Sequence, residues 1–129
     1  MPLFDDTDLV FSYGRRQALQ DGVLVDVSEM AREAGFRYAV ALTRAVWDGV
    51  VTPDDEDRAS GQSEAGRLWD VLTLLRVAIR HSRGPVQTLE FQVVIVQRES
   101  IRRTVTLEAV CGPDDDLSPC ITIMLPVED

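Results

Sequence analysis

From residue 64 to residue 84 the chain reads EAGRLWDVLTLLRVAIRHSRG, with Leu68, Leu72, Leu75 and Ile79 recurring at helical spacing. Val71 and Ala78 widen that apolar stripe, so the pattern predicts one long helix laid against a core. Ser63 suits its N-cap, Arg80, His81 and Arg83 put cations at its negative end, and Gly84–Pro85 stops it. Beyond the helix the period changes to two. TLEFQVVIVQRE, IRRTVTLEAV and CITIML read as three strands of an antiparallel meander. Leu89, Phe91 and Val93 share one face of the first strand, and Val105, Leu107 and Ala109 share one face of the second.

The first half is less regular. DLVFSY predicts a short strand, GRRQALQDG one or two helical turns stopped by Gly22, and VLVDV a second strand. Asp26 and Glu29 open a short helix over SEMAREA that Gly35 closes. AVALTRAVWDG reads as a further helical segment ending at Gly49, and VTPDDEDRASGQS as a solvated loop. Trp47 and Trp69 fall on apolar helix faces and are expected in the core. The predicted fold class is α+β: a single domain over residues 1–129, with short N-terminal strands and helices, one long core helix and a C-terminal three-stranded antiparallel meander.

A chain of 129 residues with 45% hydrophobic positions can bury a core without metal or disulfide staples. No apolar run is long enough for a membrane helix, and the opening MPLFDDTDLV is acidic where a signal peptide would be basic. A cytoplasmic location is expected. All 13 cations are arginines, and the formal net charge is −9. That field opposes nucleic acid and anionic lipid, so neither direct nucleic-acid binding nor membrane association is expected.

CGPDDDLSPC, residues 111–120, holds both cysteines and three consecutive aspartates. It reads as the turn of a hairpin over Gly112 to Pro119, with thiols that stay reduced. Two cysteines and one distant histidine are too few for zinc, and the aspartates lack calcium-loop spacing, so no metal is expected. No nucleophile elbow, phosphate loop or dinucleotide fingerprint is present, and neither catalytic residues nor a cofactor are predicted.

Two groups of residues are candidate sites. Tyr13, Arg15, Arg16, Gln17 and Asp21 form a polar cluster beside a turn, and Arg67, Arg76, Arg80, His81 and Arg83 form a candidate anion surface along the long helix. Ala31 and Gly35 between two helical segments also have the spacing of a helix-turn-helix, which would need Arg37, Tyr38, Thr43 and Arg44 together on one protruding helix. Acidic runs at 5–8, 54–57 and 114–116 would suit a DNA mimic if they lined one elongated face.

Three blocks, FSYGRRQALQDGVLVDVSEMAREAGFRYAVALTRAVW, GRLWDVLTLLRVAI and AVCGPDDDLSPCITIMLPVED, cover most of the chain. In order, they resemble an uncharacterised family of short bacterial, phage and plasmid proteins known only as a domain of unknown function. The resemblance implies a single domain of mobile-element character and assigns no activity, cofactor or site residue. The expected role is a non-enzymatic acidic accessory domain that engages another protein. The alternatives are a DNA mimic, a small enzyme or binder for a nucleotide or phosphate ligand, and a helix-turn-helix DNA reader.

Overall fold

The computed structural model describes residues 14–84, 87–98 and 101–126. Helix α1 covers 14–20 and leads into strand β1 (Leu24–Asp26), helix α2 (Ser28–Glu33) and strand β2 (Ala39–Thr43). A one-turn helix α3 (Arg44–Val46) runs into a wider π turn at Trp47–Val51, followed by α4 (Asp55–Ala59) and the long α5 (Glu64–His81). Strands β3 (Thr88–Val96), β4 (Arg102–Pro113) and β5 (Pro119–Met124) complete the order. The fold class is therefore α+β, with the long helix and the C-terminal meander where the pattern put them.

The five strands form one mixed sheet in the order β1-β2-β5-β4-β3. β3, β4 and β5 are antiparallel neighbours, whereas β2 runs parallel to β5 and antiparallel to β1. One face carries the main core. There α5 packs Leu68, Val71, Leu72 and Leu75 with Phe91, Val93 and Ile95 of β3, Leu107 of β4, Ile121 and Ile123 of β5, and Val40 and Leu42 of β2. Ser63 caps α5 as expected, its Oγ accepting from the Gly66 N–H at 3.0 Å.

Four expectations need correction or lie elsewhere. Ala39–Thr43 is a strand, not a helix. It lies between β1 and β5 with Val40, Ala41 and Leu42 all buried, and a short run apolar on both faces has no period to reveal. The helix starts one residue later, capped by Thr43, whose Oγ1 accepts from Val46 N at 3.3 Å. The acidic loop contains α4: Asp54 Oδ1 accepts from Asp57 N at 2.8 Å, and Asp55, Glu56 and Asp57 place negative charge in the first turn, where the dipole favours it. Trp69 is 42% exposed rather than core. The strand expected over DLVFSY lies outside the described residues.

CGPDDDLSPC is a hairpin turn, tighter than predicted, since the ladder continues to the pair Pro113–Pro119. In that register Cys111 faces Ile121 and Cys120 faces Gly112, so the two thiols point to opposite faces of the sheet. Both are free. No helix among the described residues is long and apolar enough to cross a membrane.

Candidate functional site, a cationic groove on the outer face of α5

Trp69, Thr73, Arg76 and Arg80 follow one another at spacings of three and four, with Val77 beside them, on the side of α5 turned away from Leu68, Val71, Leu72 and Leu75. With Glu33 and Ala34 at the end of α2 they line a groove of about 250 Å³. Gly35 makes that juxtaposition possible. Its φ of +102° ends α2 in the left-handed region, and a Cβ there would lie 2.5 Å from the Arg76 guanidinium. Arg76 therefore lies over bare backbone, and its Nη1 donates to the Ala34 carbonyl at 3.0 Å. The Ala31–Gly35 spacing thus serves the seat of an arginine rather than a DNA-reading turn.

Trp69 and Val77 are each 42% exposed, an unusual investment of apolar surface on a helix whose opposite face already fills the core. Among the described residues no carboxylate lies within ion-pair distance of Arg76 or Arg80; the ion pairs present involve Arg44, Arg58, Arg67 and Arg98. The groove combines an indole, a valine, two cations and one carboxylate, Glu33, within a strongly acidic chain. Chemically, that suits a segment with negative charge and an apolar anchor.

The anion surface read from the sequence divides. Arg76 and Arg80 come together, while His81 and Arg83 are exposed at the end of α5 and stay outside the groove. His81 Nδ1 lies 3.0 Å from the Val77 carbonyl, one turn back on its own helix. Arg67 points inward and is only 4% exposed. Its Nη2 donates to Asp57 Oδ2 at 3.0 Å and to Val96 O at 3.2 Å, and its Nη1 to Val50 O at 3.4 Å. Asp57 Oδ1 accepts the Arg98 N–H at 2.8 Å. That amide, followed by the Arg67 guanidinium, holds the Asp57 carboxyl below its ordinary range against the opposing effect of burial. This pair ties α4, α5, the π turn and the end of β3 together and is unavailable to a ligand.

The polar cluster divides too. Tyr13 lies outside the described residues. Arg15 is buried, its Nη1 donating to Thr122 Oγ1 at 2.7 Å and its Nη2 to Ile121 O at 3.0 Å. The backbone amides of Arg15 and Arg16 donate to the Asp115 carboxylate at 3.2 and 3.1 Å, so the hairpin caps α1 from across the fold. Gln17 Nε2 bonds Asp21 Oδ1 at 2.9 Å on the exposed surface.

A second cavity, about 270 Å³, lies between the end of α5 and the sheet, lined by Tyr38, Leu75, Ile79, Leu89, Cys111 and Ile121 among others. It is apolar and contains no arginine. Neither cavity unites the arginines with Gln17 or His81, as a phosphate enzyme would require. The helix-turn-helix geometry is also missing, since Thr43 ends β2 and Arg44 starts α3, its Nε bonded to Gly22 O at 3.0 Å. Among the described residues no group of three or more His, Cys, Asp or Glu could hold a metal.

The sequence marks Arg76 and Arg80 as an anion surface but not the groove, because Trp69 reads as core. Trp69, Thr73, Arg76 and Arg80 recur with the same helical spacing on the other side. No curated protein and no solved structure matches the chain. A family model does match, over residues 1–129 and so over every element described above, and the chain belongs to that family, a family of unknown function (DUF6573).

Proposed function

We propose that this chain is a non-enzymatic binding domain, an accessory protein of a mobile element, that engages another protein through the α5 groove. The occupant is an acidic segment of that protein carrying one large apolar side chain. The observation that carries this reading is the exposed Trp69–Val77 surface flanked by Arg76 and Arg80, with no carboxylate paired to either arginine among the described residues. Tryptophan and arginine are the residue types that most often dominate binding energy at interfaces. Charge complementarity selects the acidic partner, since an acidic segment meets two cations against one carboxylate, Glu33, in this groove, on a chain whose net charge is −9. The DNA-mimic alternative draws less support. In the 54–57 run, Asp54 and Glu56 pair with Arg98 and Asp57 with Arg67, while in the 114–116 run Asp115 caps α1.

The test is a fluorescence-anisotropy screen of labelled glutamate-rich peptides, each with a single leucine, phenylalanine or tryptophan, together with a matched lysine-rich set and inorganic phosphate. Acidic anchored peptides should bind, and Trp69→Ala or Arg80→Glu should weaken binding at least tenfold without changing the circular dichroism. Binding unchanged in both variants, or no acidic peptide bound at all, removes the reading. Phosphate binding that survives Trp69→Ala would favour the small-anion alternative instead.

A further inference from the structure

The border strand β3 carries a feature independent of the groove. Gln87 O accepts from Cys111 N at 2.7 Å, and Gln97 N donates to Ile101 O at 2.7 Å, so both ends of the β3–β4 ladder bond through odd-numbered residues. The register between them is unbroken from Thr88–Val110 to Val96–Arg102. Backbone groups alternate sides along a strand, so Leu89, Phe91, Val93 and Ile95 also turn their amides and carbonyls toward β4. Thr88, Glu90, Gln92, Val94 and Val96 then aim theirs at the outer border of the sheet, with which no other strand among the described residues pairs. Val96 confirms the direction, because its carbonyl is taken by the Arg67 guanidinium, which lies outside the ladder. The side chains of the same five residues are exposed.

Natural sheets guard such a border with proline, lysine, a bulge or a very short strand. The opposite border uses the last device: β1 has three residues. β3 has nine, with no proline, no lysine, an unbroken register and two exposed valines. The Arg67 guanidinium covers the Val96 carbonyl at one end, and along the rest of the strand stands Glu90, directly across from Glu108 on the same face. At the other end of that face stands exposed Arg102, opposite Val96. The exposed face of the hairpin is therefore acidic at one end and basic at the other.

We propose that two copies of the chain pair antiparallel through β3 about a twofold axis at Gln92, joining two five-stranded sheets into one of ten strands. In that register Gln92 meets Gln92 of the second copy, Glu90 meets Val94, and Thr88 meets Val96. Gln92, Glu90 and Val94 turn their backbone groups to the border, so these pairs form hydrogen bonds without disturbing the existing ladder. At Val96, whose carbonyl already accepts from Arg67, the Thr88 pair adds the bond from the Val96 N–H. The acidic end of each hairpin comes beside the basic end of the other, and the two Glu90 carboxylates are kept apart. A twofold at Glu90 would set them face to face.

Sedimentation velocity over a wide concentration range decides this, with three variants of the full chain. Wild type should sediment as a dimer. Gln92→Pro deletes an amide that the isolated ladder does not use, and should give a monomer with unchanged circular dichroism and a melting temperature that no longer depends on concentration. Val94→Glu, an exposed side-chain change, puts a carboxylate against Glu90 of the second copy and should also give a monomer. Adding Glu90→Arg to Val94→Glu should restore the dimer, a result that only this register explains. A monomeric wild type overturns the proposal, and so does a dimer indifferent to Val94→Glu. If Gln92→Pro fails to fold, the Val94→Glu and double variants still decide.

Discussion

Two arginines are buried in this protein, one on each face of the sheet, and they are accommodated in different ways. Arg67, on the α5 face, meets a carboxylate: Asp57 shares its burial and takes a second hydrogen bond from the Arg98 amide. Arg15, on the other face, gives its guanidinium to two uncharged acceptors, Thr122 Oγ1 and Ile121 O. The carboxylate of its neighbourhood, Asp115, bonds its backbone amide instead. Removing Arg67 therefore strands a buried charge, while removing Arg15 strands two neutral acceptors. The first fault is much more costly than the second.

The sharpest way to break the comparison is Arg67→Met, expected to cost about 3–5 kcal/mol in urea unfolding, as breaking a buried ion pair does. Adding Asp57→Leu should recover part of that loss, because the stranded charge goes with it. No recovery would mean that the Arg67 contacts to Val50 and Val96, rather than the pair, carry the stability.

Acid should act next. Asp57 is held below its ordinary value when folded, so its contribution is complete above about pH 4–5, the unfolded carboxylate range, and is lost as pH falls through the lower folded value. Asp116 acts in the same direction, held down by hydrogen bonds from Ser118. Wild-type melting temperature should fall on acidification below that range, and Asp57→Asn should show a shallower fall. Parallel curves would show that the pair does not govern the acid limb. The smallest effect belongs to Arg15→Met, about 2 kcal/mol, the scale of hydrogen bonds made by a charged group. A loss as large as that of Arg67→Met would mean that the two faces are not different after all.

The same pair of regions shows how far the sequence could be read. α5, β3 and β4 are legible because each has one more deeply buried face, so a period of 3.6 or 2 is written into their residues. β5, buried on both faces, is legible instead from its β-branched run after a turn. β2 is apolar on both faces and has no period. Its Ala-Val-Ala-Leu run fits a buried helix as well as a central strand, until β5, whose paired residues stand 81 positions later, is known to lie beside it. Arg67 was grouped with Arg76 and Arg80 by proximity in the sequence, yet it stands four and eight residues before Val71 and Leu75, on the core stripe, whereas Arg76 and Arg80 stand on the other side. That distinction was available from helical geometry. The identity of its partner was not, because Asp57 lay in a run of acids with nothing local to mark one of them as buried. Arg15 likewise reads only as part of a polar cluster beside a turn, since its acceptors lie 106 and 107 residues away.

The position of β5 governs how the molecule can be assembled during synthesis. The strand at the centre of the sheet, parallel to β2 on one side and antiparallel to β4 on the other, follows both of them in the chain. While the ribosome is still making residues 119–124, β1–β2 and β3–β4 can each form only a separate hairpin, each with an inner border left open. The nascent chain thus carries two unsatisfied strand edges until residues 119–124 have been made, and closure then depends on contacts of high sequence separation, which form slowly. Any ribosomal pause before residue 119 prolongs that exposed state, so the chain's main hazard of misassembly is set by the timing of its synthesis.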